Sequence, residues 1–374
     1  MKNSLLFIVL ITILLVSCNS PKETLLYVGT YTGGDSEGIY CYRFDSETGQ
    51  LLSKFVTPNR ENPSFLALSP DQNYLYAVSE VKESPQIDSG SVTAYRIGKS
   101  GELEKLNQKA TKGYHPCHVT VSPDGRFVVA SNYSSGSLSF FRVENDGRLN
   151  DSFQQIQHVG SGKDSIRQTA PYAHSALFDS SGELLISADL GTDKLEFYRY
   201  DKGAGQFEPA EQAYVAMTSG AGPRHFAFAP DGQFIYVMNE LNSEVSVLAK
   251  DGETFERIQS VSALPEGFEG ISYGADIHVS ADGQFVYSSN RGHNSIAVFS
   301  RNDDGTLKLQ ETEPVQGDWP RNFALSPDGR FLLVANQKSN NVSVFQVDPA
   351  TGALSYTGQN LEIPEPVCLT FWVK

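Results

Sequence analysis

A two-stranded unit recurs along this chain at intervals of about fifty residues, and no other feature restricts the fold as strongly. It appears as "NPSFLALSPDQNYLYAVSE" (62–80), "HPCHVTVSPDGRFVVASNY" (115–133), "PYAHSALFDSSGELLISADL" (171–190), "GPRHFAFAPDGQFIYVMNE" (222–240), "GADIHVSADGQFVYSSNR" (274–291) and "WPRNFALSPDGRFLLVANQ" (319–337). The tight turn falls at Gln72, Gly125, Gly182, Gly232, Gly283 and Gly329, so successive units lie 53, 57, 50, 51 and 46 residues apart. Each unit alternates apolar and polar residues, turns at S-P-D-G or its equivalent, and rises again in a β-branched and aromatic run. A second hairpin follows, as in "SLSFFRVENDGRL", "EVSVLAKDGETF", "SIAVFSRNDDGTL" and "NVSVFQVDPATGAL". Four antiparallel strands in about fifty residues make a propeller blade rather than a helical solenoid.

The ends supply a seventh blade. The C-terminal "EPVCLTFWVK" matches the first strand of a unit and then stops, while the N-terminal "LLYVGTYTGGDSEGIYCYRFDSETGQL" matches the other three strands. A blade shared between the termini closes the ring and leaves no free sheet edge. The expectation is an all-β, seven-bladed β-propeller over residues 25–374, with four antiparallel strands per blade. No composition break divides it into two domains.

The chain opens "MKNSLLFIVLITILLVSCNS", in which Lys2 precedes an unbroken, mostly apolar run from Leu5 to Val16. A bilayer span needs about 20 such residues, so this is an export signal. Its end, Leu15-Val16-Ser17-Cys18, resembles the lipobox of bacterial lipoproteins, in which the cysteine carries the lipid. The reading is a signal peptide at 1–17, a short tether at 18–24, lipidation at Cys18, and an exported protein anchored on the periplasmic side or cell surface.

A formal charge of −15 excludes nucleic acid as a partner, since that requires a basic face. It also excludes electrostatic docking on anionic lipid, so the membrane is met only through the N-terminal lipid. Cys41, Cys117 and Cys368 have neither disulfide nor metal-ligand spacing and read as small packed residues. No GxGxxG, P-loop, HExxH or GxSxG motif occurs. No metal or cofactor is expected, and the protein is expected to be a monomer.

In an antiparallel blade the start of the first strand and the end of the second share one face, here called the mouth. Alignment on the turn position places Ser64, Cys117, His174, Arg224, Ala275 and Arg321 there, beside Phe65, His118, Ser175, His225, Asp276 and Asn322. The second strands end at Tyr31, Glu80, Tyr133, Leu190, Glu240, Arg291 and Gln337. Three long connections, Val81–Gly90, Gly160–Tyr172 and Ala263–Gly274, open on the same side. The opposite face mostly repeats small turn residues, so function belongs at the varied mouth. Asn132, Asn239, Asn290 and Asn336 recur in one register of four blades, which marks a structural hydrogen bond. His278 lies mid-strand and is expected to be packed.

At these residues the chain resembles the seven-bladed propeller lactonases, the family of the propeller-type 6-phosphogluconolactonase and the fungal 3-carboxy-cis,cis-muconate lactonizing enzyme. The similarity spans nearly all of residues 25–374 and is strongest in "LYVGTYTGGDSEGIYCYRFDSETGQL" and "HPCH". The resemblance implies a site of His174, Arg224, Glu240 and Arg291. His118, His225, Arg321 and Tyr133 are expected to bind substrate beside it. The implied reaction is hydrolysis of a sugar-acid lactone, either 6-phosphogluconolactone-like or an unphosphorylated aldonolactone. Glu240 or His174 would take a proton from water, and arginine would stabilise the oxyanion. The alternative is a non-catalytic surface propeller that binds a glycan or partner protein through Tyr31, Tyr133 and Tyr172.

Overall fold

The computed structural model describes residues 23–84 and 86–374. The export signal and Cys18 lie outside them. The described residues form 28 strands in seven four-stranded antiparallel sheets. We number the blades by their first, innermost strand. These are Leu66–Leu68, Pro116–Val121, Ala173–Phe178, Pro223–Phe228, Tyr273–Val279 and Pro320–Leu325 for blades one to six, and Pro366–Val373 for blade seven. Each innermost strand touches the next, and the seventh touches the first, so the sheets close into a ring.

The seventh blade is shared between the termini. Pro366–Val373 pairs antiparallel with Thr24–Thr30, which continues into Gly38–Phe44 and Leu51–Pro58. Val367, Cys368, Leu369 and Trp372 are buried, and each large apolar side chain so placed contributes about 1.5–3 kcal/mol. Gln72 fastens the strand to blade one, its Oε1 accepting Val373 N–H at 3.0 Å and its carbonyl accepting Trp372 Nε1–H at 2.9 Å.

The turn chemistry accounts for the repeat. In "SPDG", Asp124 Oδ1 accepts Arg126 N–H at 3.0 Å, and Ser122 Oγ accepts Phe127 N–H at 2.9 Å while donating to Asp124. Ser69/Asp71, Ser280/Asp282 and Ser326/Asp328 repeat the pattern. Gly125 sits at φ 72°, a left-handed conformation that favours glycine. Gln72 adopts φ 57° at the equivalent position.

Neighbouring blades are stitched by tyrosines on the second strands. The hydroxyls of Tyr76, Tyr236 and Tyr287 donate to the carbonyls of Gly147, Gly305 and Gly352 in the outer hairpin of the following blade, at 3.1, 3.1 and 3.0 Å. The recurring asparagines are structural as expected: Asn132 Nδ2 reaches Ser139 Oγ at 2.8 Å, and Asn239 and Asn336 reach Ser246 and Ser343. Cys41, Cys117 and Cys368 are buried and free. His278 differs from expectation, since its side chain is 40 % exposed. Its ring lies edge-on to Phe323 at 4.8 Å and on the same strand face as Asp276, two residues before it.

Candidate active site

The mouth gathers what the sequence placed there. Arg224 begins the innermost strand of blade four, Glu240 follows the second strand of that blade, and Arg291 ends the second strand of blade five. Glu240 Oε2 lies 2.8 Å from Arg291 Nη2 and 3.2 Å from Arg224 Nε. Both guanidiniums are held from behind by backbone. Arg224 Nη1 donates to Ala275 O at 2.6 Å, and Arg291 Nη2 to Gly274 O at 2.8 Å. Arg291 Nε is sealed from water without a hydrogen-bond partner, as is Arg224 Nε, whose approach to Glu240 is an ion pair without a directed bond.

A third guanidinium on Glu240 has no counterpart in the repeat. Arg167, from the connection between blades two and three, donates Nη2–H to Glu240 Oε1. It lies beside Tyr133 and 5.7 Å from the centre of the Tyr273 ring. Nothing in the repeat pattern marks Arg167 itself; the unusual length of its connection is the one signal pointing there.

The charges determine what each group can do. Burial alone would raise the Glu240 carboxyl, but Arg291, Arg224 and Arg167 overcome that and hold it at about 2. Burial draws Arg224 down to about 9, with Arg291 and Arg321 adding to the effect, so it stays charged at neutral pH. Burial, then the charges of Arg224 and neighbouring groups, pushes His174 well below its usual value, leaving a neutral imidazole. His174 packs edge-on to Tyr133 at 5.4 Å and to His225 at 5.3 Å, with Nδ1 3.8 Å from Cys117 Sγ.

Beneath His174 lies a second polar layer. His225 Nδ1 is 2.7 Å from Asp276 Oδ1, and His278 Nε2 is 3.0 Å from Asp276 Oδ2. Asn322 also donates to Asp276, while its Oδ1 accepts Leu369 N–H at 2.7 Å. Burial, followed by Arg224, lowers His225 to about 4. His118 stacks on Phe65 at 4.3 Å, and its Nδ1 has no partner, like His225 Nε2. The carboxylate at the heart of this layer, Asp276, was visible in the aligned register beside His118 and His225, but its role was not.

Arg321 and Tyr31 form a further group at the mouth. The guanidinium stands 5.3 Å from the centre of the Tyr31 ring. The Tyr31 hydroxyl contacts both Glu80 oxygens at 2.9 Å, and Ser64 donates to the same carboxylate. Thus His174, Arg224, Glu240 and Arg291 come together with Tyr133 at one edge. His118 and His225 lie beneath them, and Arg321, beside Tyr31, is near enough to act on Arg224 and His174. Among the described residues, no group of three or more His, Cys, Asp or Glu side chains is arranged to hold a metal ion.

Comparison with known proteins identifies the family. The family described as "Lactonase, 7-bladed beta-propeller" matches residues 25–371. The chain is 39 % identical to a 6-phosphogluconolactonase of Bacillus subtilis over 92 % of this chain and 97 % of that one. It is 36 % identical to a 6-phosphogluconolactonase of Formosa agariphila over 90 % and 96 %. The structure of a periplasmic gluconolactonase of Pseudomonas aeruginosa superposes with a TM-score of 0.88 at 37 % identity, covering 93 % of this chain and 99 % of that one. This chain therefore belongs to the seven-bladed β-propeller lactonase family.

Proposed function

We propose that this protein hydrolyses a sugar-acid lactone at the mouth formed by His174, Arg224, Glu240 and Arg291. The observation that carries the reading is the convergence of two buried guanidiniums on one carboxylate beside a neutral histidine. Attack of water on a lactone carbonyl places negative charge on the carbonyl oxygen. Fixed donors that need no reorganisation are what stabilise it. Arg224 and Arg291 supply them, since backbone carbonyls and Glu240 already hold both in place.

His174 takes the proton from the attacking water and returns it to the ring oxygen as the C–O bond breaks. Glu240 is not free for this task, because its carboxylate is engaged by Arg167, Arg224 and Arg291. Its part is to keep the guanidiniums charged and in register. The charges that weaken His174 as a base in the resting protein are offset by the oxyanion that develops between them, so its basicity rises as the reaction proceeds.

The glycan- or protein-binding alternative calls for aromatics displayed across the mouth. Tyr31 is engaged with Glu80, and Tyr133 is stacked on Tyr172 at 5.0 Å. That arrangement supports a pocket rather than a platform. An export signal ending in a lipidated Cys18, as the N-terminal sequence implies, would put the protein in the cell envelope, and this favours an unphosphorylated aldonolactone as substrate. A lactone panel including phosphorylated and unphosphorylated aldonolactones, followed by pH-stat on a soluble form beginning after Cys18, tests the reading. Turnover of at least one lactone well above its spontaneous rate is expected; none above that rate refutes it.

A further inference from the structure

The three guanidiniums on Glu240 are not equivalent. Arg224 and Arg291 are 2 % and 5 % exposed and belong to the blades, whereas Arg167 is 34 % exposed and rides on a connection. That connection is built to present it. Asp164 Oδ1 accepts the backbone N–H groups of Ile166 and Arg167 at 2.8 and 3.0 Å, forming a tight turn just before the residue. Gln168, buried directly after it, donates through Nε2 to Leu190 O at 2.8 Å and to Asp193 Oδ1 at 2.6 Å. Gln168 Oε1 accepts Asp164 N–H at 3.0 Å, so one amide side chain locks the turn to the body of blade three. The passage is narrow: a Cβ at Gly191 would lie 1.9 Å from Ala170 O.

Glu240 already has two buried partners in Arg224 and Arg291, so its charge is met without a third from a connection. A connection pinned on both sides of one arginine is more than that charge requires. From this geometry we infer that Arg167 is a substrate-binding residue. Resting on the lactonase reading, the inference is that its solvent-facing N–H groups hold oxygen atoms of the lactone outside the reacting acyl group, while Glu240 fixes the guanidinium plane. A planar fork of donors suits paired hydroxyl, carboxylate or phosphate oxygens. Gln168 is its positioning residue, acting on the substrate only through Arg167.

The test is steady-state hydrolysis of the best lactone by wild type, Arg167→Met, Arg167→Lys and Gln168→Ala, with a thermal melt of each. A hydrogen bond to a charged group is strong enough that its loss lowers kcat/KM roughly 10- to 100-fold. For Arg167→Met the fall is expected in KM, with kcat held within about threefold because Arg224, Arg291 and His174 are intact. Arg167→Lys keeps the charge and recovers part of the loss. Gln168→Ala shows a smaller rise in KM with the same pattern. All melts should stay close to wild type, since Glu240 keeps its two buried partners. An active wild type with an unchanged KM in Arg167→Met overturns the inference and leaves the lactonase reading intact. A fall in kcat at constant KM also overturns it. A wild type without lactonase activity overturns both.

Discussion

Glu240 Oε2 stands 2.8 Å from Arg291 Nη2, and this contact joins blade four to blade five at the mouth. With Arg224 and Arg167 on the same carboxylate, one acid balances three guanidiniums. Removing one partner of a buried ion pair typically costs about 3–5 kcal/mol. Glu240→Gln should therefore lose stability as well as activity, with a lower urea midpoint and an unchanged m-value. A variant that is inactive yet as stable as wild type would show that Glu240 acts in chemistry alone.

The buried histidines set a pH limit. His225 has a folded-state value of about 4, produced by burial and then by Arg224, against about 6.5 in the unfolded chain. Between those values the unfolded chain binds more protons, so stability is complete above about 6.5 and is lost as pH falls toward 4. His118 and His174 are displaced in the same direction, also chiefly by burial. Urea midpoints measured from pH 7.5 down to 4 should fall, and His225→Asn should reduce the slope. A flat profile over that range contradicts the neutral, buried state of these imidazoles.

Ring closure predicts how truncation behaves. Deletion of residues 365–374 removes the strand paired with Thr24–Thr30 and opens the seventh blade. The melt of the whole propeller should move down as one cooperative transition. A truncated chain that melts at the parental temperature contradicts the role of this strand in closing the ring.

Much of this was legible because repetition makes a sequence its own alignment. One register gave the blade boundaries, the shared blade, and Arg224, Glu240 and Arg291 on one face. The same register held Ser64 and Glu80, and only the structure shows Tyr31 occupying that second carboxylate. Arg167 was not legible, because it lies on a connection outside the period and meets Glu240 from 73 positions away. Nor was the reversal at Glu240. An acid beside one arginine reads as a base, whereas an acid among three does not. Gln72 looked like an imperfect turn residue; its side chain is the fastening for Val373.

The tether carries its own prediction. Thr24 begins its strand opposite Phe44 and Val373, on the turn face, and the strand runs toward the mouth. A lipid at Cys18 would be joined to Thr24 through five intervening residues, a reach of about 20 Å at most. The mouth would then face away from the membrane. Cys18→Ala should move the protein from the membrane to the soluble fraction with its melting temperature unchanged. Wild type recovered as soluble after processing contradicts the anchor.

On the proposed reading His174, set among the guanidiniums of the mouth, moves the proton in lactone hydrolysis. The most direct test of this role is the rate of acid release from the preferred lactone by wild type, His174→Asn and the far-face control Arg126→Ala, whose side chain pairs only with Asp124 in an exposed turn. Loss of a general base costs about 10²–10⁴-fold. His174→Asn should lose kcat on that scale with KM and melting temperature little changed, and Arg126→Ala should match wild type. A His174→Asn protein that turns over the lactone at the wild-type kcat would contradict the account.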